Sequence, residues 1–245
     1  MDLERRTSRV AGWFMIATFV TSIPAALVLY EPVLKHHDYI VGGGADKRIA
    51  LGAFLEILLA VANIGTAVTL YPITKRQNES MALGYVTVRV LESTVIVVGL
   101  ISLLSVVTLR HDLAGTSANA GTLTVAGRSL VAFHDWTFLL GPGFCSALGN
   151  GLLLGYLMFT SGLVPRRLAL LGLIGGPLLF FASTAVLFGA FKQTSAPASL
   201  LALPEAVWEL SFGIYLVVKG FKPCPILEAD SHEVRAKATP GAMRA

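Results

Sequence analysis

Apolar runs over residues 10–30, 48–72, 81–109, 130–160, 168–191 and 203–218 alternate with short polar turns along the chain. Their lengths suit helices crossing a hydrocarbon core roughly 30 Å thick, where the backbone must satisfy its own hydrogen bonds. The pattern predicts an all-α fold, a polytopic six-transmembrane-helix bundle over residues 1–222. Residues 223–245 are polar and end in small side chains, the composition of a disordered cytoplasmic tail. Arg5, Arg6 and Arg9 precede the first run as they would in a signal peptide, but that run exceeds the 7–15 apolar residues of a cleavable signal. It is read as a retained first span.

The polar turns set the expected direction of each span. Lys75-Arg76 and Arg166-Arg167 sit in short basic turns, which belong on the cytoplasmic side. Counted this way, twelve basic residues fall inside, six outside, and Arg89 lies in the membrane, which places both termini in the cytoplasm. The stretches 31–47 and 110–127 are then extracytoplasmic, the second as an outer loop or re-entrant turn.

Composition agrees with this reading. Hydrophobic residues make up 54% of the chain, charged residues 14%, and mean hydropathy is +0.70, too apolar for a domain whose surface faces water. The net charge of +4 comes from groups between apolar runs, so it marks topology and implies no nucleic-acid partner. Two cysteines, Cys145 and Cys224, support neither a disulfide framework nor a metal site. His36-His37-Asp38 reads as a solvated loop, because consecutive residues rarely chelate without further ligands. No cofactor and no metal are predicted.

Several polar side chains interrupt the apolar runs. Arg89 and Glu92, three apart in the third run, share a helix face, and charges at that depth must turn toward other helices or a wet cavity. In the second run Ala53, Glu56, Ala60, Asn63 and Ala67 form a small and polar stripe suited to close helix contact. Antiparallel spans bring Asn63 to the depth of Arg89, with Glu92 and then Glu56 nearer the outer face. The fourth run opens with His134-Asp135-Trp136 and meets Gly141-Pro142-Gly143, which should bend it; Asn150 follows on one face, beside a Gly151/Gly155 step. Pro24 should kink the first run. Glu205 and Glu209 flank Trp208 in the sixth; if Arg89 and Glu92 merely clamp helices together, Glu56, Asp135 and Glu205 sit in the wet interface. The candidate polar site is therefore Glu56, Asn63, Arg89, Glu92, His134, Asp135, Asn150 and Glu209. Arg89 is expected to reach a second carboxylate, Glu56 or Glu209, because Glu92 alone cannot use its five donors.

The stretches RVLES, HDWTFLLGPGF, SGLVPRRLALLGLIGGPL and PEAVWELSFGIYLVVKGF resemble bacterial multi-pass proteins grouped as domain of unknown function 4386. The resemblance runs from Arg9 to Lys222. It implies the fold, the topology and the bacterial plasma (inner) membrane, supplies no catalytic residue, and points to Arg89, Glu92, Trp136, Asn150, Pro165 and Glu209.

Three functions are compatible with these residues. The first is a small-molecule or proton/cation-linked carrier. Its site lies around Arg89, where carboxylates outnumber the cation and burial favours their neutral form. Pro24 and Gly141-Pro142-Gly143 would fall at matching places of an inverted repeat. The second is a non-catalytic membrane partner or scaffold, with the Gly151/Gly155 step and the glycine-rich fifth run meeting a second copy or another membrane protein. The third is an intramembrane lipid hydrolase in which His134 and Asp135 or Glu209 bind metal or activate water, disfavoured because no HExxH and no GxSxG motif occurs. A purely structural Arg89–Glu92 clamp would serve any of the three, so the chain reads as an enzyme least readily.

Overall fold

The computed structural model describes residues 3–36, 38–42, 44–113 and 119–227. His37, Gly43, part of the 110–127 loop and the tail beyond 227 lie outside them. Among the described residues there is no strand, and six helical spans are long and apolar enough to cross a membrane.

The first span is α1 (Leu3–Pro24), continued by a π-helical turn over Ala25–Leu29. Pro24 lacks the N–H that would close its turn, and the widened turn that follows is how the helix absorbs it. Thr21 Oγ1 donates to Ala17 O at 2.8 Å in the same region, the backbone support expected beside a membrane proline. A short α2 (Glu31–Lys35) leads into α3 (Asp46–Thr74). The Asn78 side chain accepts the Met81 N–H at 3.0 Å and so starts α4 (Glu79–Asp112) beyond the basic turn.

The fourth span differs from its expected bounds. α5 runs over Ala120–Phe138, well ahead of residue 130, because Asn119 caps it by accepting the Gly121 N–H at 2.8 Å. Residues read as outer loop are thus the first turns of a helix standing proud of the apolar run. Around Pro142 the span turns π-helical over Leu139–Cys145 and again over Ala147–Leu154, then closes as α6 (Gly155–Ser161) at Gly162, whose φ of 70° suits a helix C-terminus. α7 (Arg166–Leu187) and α8 (Ala196–Val218) complete the bundle. α8 also starts ahead of residue 203, since Pro197 sits in its first turn, where a proline is tolerated.

The six spans contact one another in chain order, and α1 packs on both α3 and α8, so the arrangement closes into a ring. The end carrying both termini is filled. Met15, Leu70, Tyr85, Leu157, Trp208 and Phe212 belong to one buried apolar cluster drawn from all six spans, the fourth contributing only its second half. Residues 223–227, read as the start of a disordered tail, add Cys224 and Leu227 to it. Arg5 clasps this end by donating to the backbone oxygens of Val218, at 2.9 Å, and Lys219. At the far end Tyr30, Val33, Tyr39 and Ile40 pack with Ile49, Leu103 and Val106 in a smaller cluster.

Glycines bring α7 against its neighbours. A Cβ on Gly176 would stand 2.8 Å from Ala147 O and Gly151 Cα, and one on Gly172 would strike the Trp208 ring at 2.7 Å. Gly155 faces the α7 backbone in the same way. The Gly151/Gly155 step is therefore occupied within the chain, where close backbone approach supplies the packing that lipid cannot.

Candidate functional site

Arg89 is the largest charged side chain in the interior, 2% exposed, and its partners follow from helix register. Glu92 lies one turn further along α4, and Arg89 Nη1 donates to its Oε2 at 2.6 Å. From α3, Asn63 accepts from Arg89 Nη2 through Oδ1 and faces Glu92 Oε1 with Nδ2 at 3.5 Å. One amide thus serves both ends of the ion pair. The expected second carboxylate on Arg89 is not among these bonds: the cross-helix partner is Asn63, whose oxygen accepts without adding another charge. Ser93 Oγ donates to Arg89 O and to Ala60 O at 2.9 and 3.2 Å, binding α4 to the small-residue stripe of α3.

Glu209, half-buried on α8, is held separately. Its Oε1 accepts from Ser146 Oγ at 2.7 Å and from Asn150 Nδ2 at 2.5 Å, Ser146 standing between the two π-helical stretches of the fourth span and Asn150 within the second. Asn150 also fixes α8 through its backbone oxygen, which accepts Trp208 Nε1–H at 3.0 Å. The added residue of a π turn re-aims side chains, and here it brings Ser146 and Asn150 to one carboxylate. Glu56 accepts from Tyr30 Oη at 3.0 Å, and the Tyr30 ring meets the His134 imidazole edge-on at 5.8 Å between centroids.

These groups surround one cavity of about 470 Å³ on the far side of the apolar cluster. Glu56, Asn63, Arg89, Glu92, His134 and Glu209 all line it, together with Phe19, Leu27, Phe138, Leu139 and Ala206. Pro142 and Gly143, where the fourth span widens, also form its wall. Two sequence candidates stand apart. Asn150 is buried behind the wall and acts through Glu209. Asp135 is turned outward, 58% exposed at its side chain, and borders a second hollow of about 230 Å³ with His36, Tyr39 and Arg128. It approaches the cavity only through His134, 3.7 Å from Nδ1. Adjacent residues on a helix diverge by about 100°, so His134 and Asp135 could not both face inward.

Sequence reasoning missed Glu205. Left out of the candidate polar site, it is two turns inside α8, 2% exposed, and lines the cavity with neither carboxyl oxygen hydrogen-bonded. The available signal was glycine spacing. A Cβ on Gly175 would stand 2.7 Å from Glu205 Oε2 and one on Gly151 3.0 Å from it, so two glycines leave this carboxyl its room. Arg89 Nε and His134 Nδ1 are likewise buried without a hydrogen-bond partner. Among the described residues no three His, Cys, Asp or Glu side chains converge so as to hold a metal ion.

The wall therefore carries four carboxyl groups against one guanidinium and one imidazole. Such an arrangement offers acceptors to a polar or cationic guest. A family profile described as Domain of unknown function (DUF4386) matches residues 10–220 of the chain. No curated protein and no solved structure matches it.

Proposed function

We propose, for a chain that belongs to the family of the domain of unknown function DUF4386, that it is a carrier of the bacterial plasma membrane, linking movement of a small polar or cationic solute to protons. Both termini face the cytoplasm in this reading, supported by the bias of basic residues toward the turns at the terminal end. The cavity then opens in the outer half, and the apolar cluster around Met15, Leu157 and Trp208 seals the cytoplasmic half.

The observation that carries the reading is the excess of buried carboxyl groups over cations in one cavity wall. A clamp between helices needs only the Arg89–Glu92 pair. Glu56 and Glu205 add buried carboxyl groups whose charge must be offset by a proton or a bound cation, because an uncompensated buried charge is too costly to keep. The interrupted helices at Pro24 and Pro142, both beside the cavity, are the kind of element around which transporter spans rearrange. Use of the Gly151, Gly155 and Gly172 surfaces inside the chain favours this reading over a scaffold that offers them to a partner.

The test is flux through proteoliposomes under an imposed proton gradient, recorded as proton movement on addition of candidate solutes. Glu209→Gln should flatten the pH profile of that flux, whereas Glu92→Gln should mainly lower stability by orphaning Arg89. Equal, pH-independent effects of the two substitutions would leave the clamp as the better account.

A further inference from the structure

The carboxyl groups of the cavity are not equivalent. Glu92 is occupied by Arg89 and Asn63, Glu209 by Ser146 and Asn150, and Glu56 by Tyr30. Only Glu205 keeps both oxygens free of hydrogen bonds, although it is as buried as Arg89 and lines the same cavity. Gly151 and Gly175 reserve its space on two neighbouring helices, so the carboxyl is built in and not simply left over. A buried acceptor of this kind has to meet a donor.

Two features of the wall decide which donor. Most of its area is apolar, with Phe19, Leu27, Phe138 and Leu179 among its residues, and that suits an organic body better than a bare hydrated ion. The volume of about 470 Å³ also falls in the range of small-molecule sites. A divalent metal would need several converging oxygen or nitrogen ligands, which the described residues do not supply. An anion would face a wall with four carboxyl groups against one guanidinium, whose two terminal nitrogens already serve Glu92 and Asn63. We infer that the cavity takes a small amphipathic organic cation, a protonated amine with an apolar body, whose ammonium draws the Glu205 carboxylate from its seat against Gly151 and Gly175 and donates to it, while the body lies against Phe19 and Phe138. The inference rests on the carrier reading only in taking this cavity as the solute site.

The experiment is calorimetric titration of the purified full chain in detergent with phenethylammonium chloride, with 2-phenylethanol as the neutral isostere and sodium chloride as the inorganic control. The parent should bind phenethylammonium saturably and the alcohol much more weakly. Glu205→Gln should weaken the ammonium by about tenfold or more, since it removes the charge of a buried pair, and leave the alcohol unchanged. Glu205→Asp keeps the charge and should retain most of the binding, which guards against loss of fold in the glutamine variant. Ammonium binding no tighter than alcohol binding, or Glu205→Gln binding as the parent does, overturns the inference. Proton flux in proteoliposomes without ammonium binding removes this ligand class and keeps the carrier. Charge-dependent ammonium binding without any flux keeps the site and removes the carrier.

Discussion

Replacing Arg89 by leucine tests whether the ion pair is truly dry. Arg89 is 2% exposed and Glu92 4%, their contact is 2.6 Å, and Asn63 is shared between them, so the substitution strands a carboxylate and an amide oxygen at once. Breaking a buried pair from one side costs about 3–5 kcal/mol. On the scaling of soluble chains of 150–250 residues, about 2–4 °C per kcal/mol, this is a fall in Tm of roughly 6–20 °C. Thermal unfolding of the detergent-solubilised protein, followed by circular dichroism, reads it directly. The double variant Arg89→Leu/Glu92→Leu should recover most of the loss, because a buried pair can often be exchanged for apolar side chains at little cost. An Arg89→Leu protein melting within about 2 °C of the parent would show a solvated arginine and refute the burial argument.

Gly176→Leu should lower stability by about 1–3 kcal/mol or more, since its Cβ alone would press on Ala147 O and Gly151 Cα, while Gly84→Leu, whose nearest neighbour is Leu153 at 3.7 Å, should leave the melting curve in place. Equal melting of the two variants would remove the glycine-packing account of α7. Outside the membrane, burial and the 2.5 Å hydrogen bond to Asp46 push the Tyr39 phenol above its usual range. The folded state thus favours the protonated phenol. Its clasp on Asp46, which also holds Arg110 and His111, contributes fully below about pH 10 and is lost as pH rises through the raised value. Tyr39→Phe should leave the phenolate absorbance wave near pH 10 unchanged in size; a wave smaller by one phenol would contradict the clasp.

The apolar runs carried the six spans because hydrophobic length is dictated by the bilayer, and the stripe Ala53, Glu56, Ala60, Asn63, Ala67 is indeed the buried face of α3. The Arg89–Glu92 pair was legible from spacing and the Asn63 contact from depth, both consequences of helix rise. Helix starts were not. Asn119 and Pro197 begin α5 and α8 outside the apolar runs, and hydropathy is blind to a cap. A sixth span taken from 203 leaves Glu205 near its end, and the sequence reading kept it out of the candidate site, although two glycines on other helices make its room. Asp135 was misplaced for the opposite reason: adjacency to His134 in sequence suggested a shared site, and helix geometry turns the two apart.

Cysteine accessibility at the cavity tests the carrier without knowledge of its solute. Ala206→Cys, on the α8 wall, would be made in a Cys145→Ser/Cys224→Ser background and treated with a membrane-impermeant thiol reagent in right-side-out and in inside-out vesicles. Lys35→Cys and Gln77→Cys, exposed or half-exposed at opposite ends, would report the orientation of each preparation. The account predicts labelling of Ala206→Cys from the outer face and, under an imposed proton gradient, from the cytoplasmic face as well. Labelling from the outer face alone under every condition would contradict alternating access and leave a binding protein with a one-sided cavity.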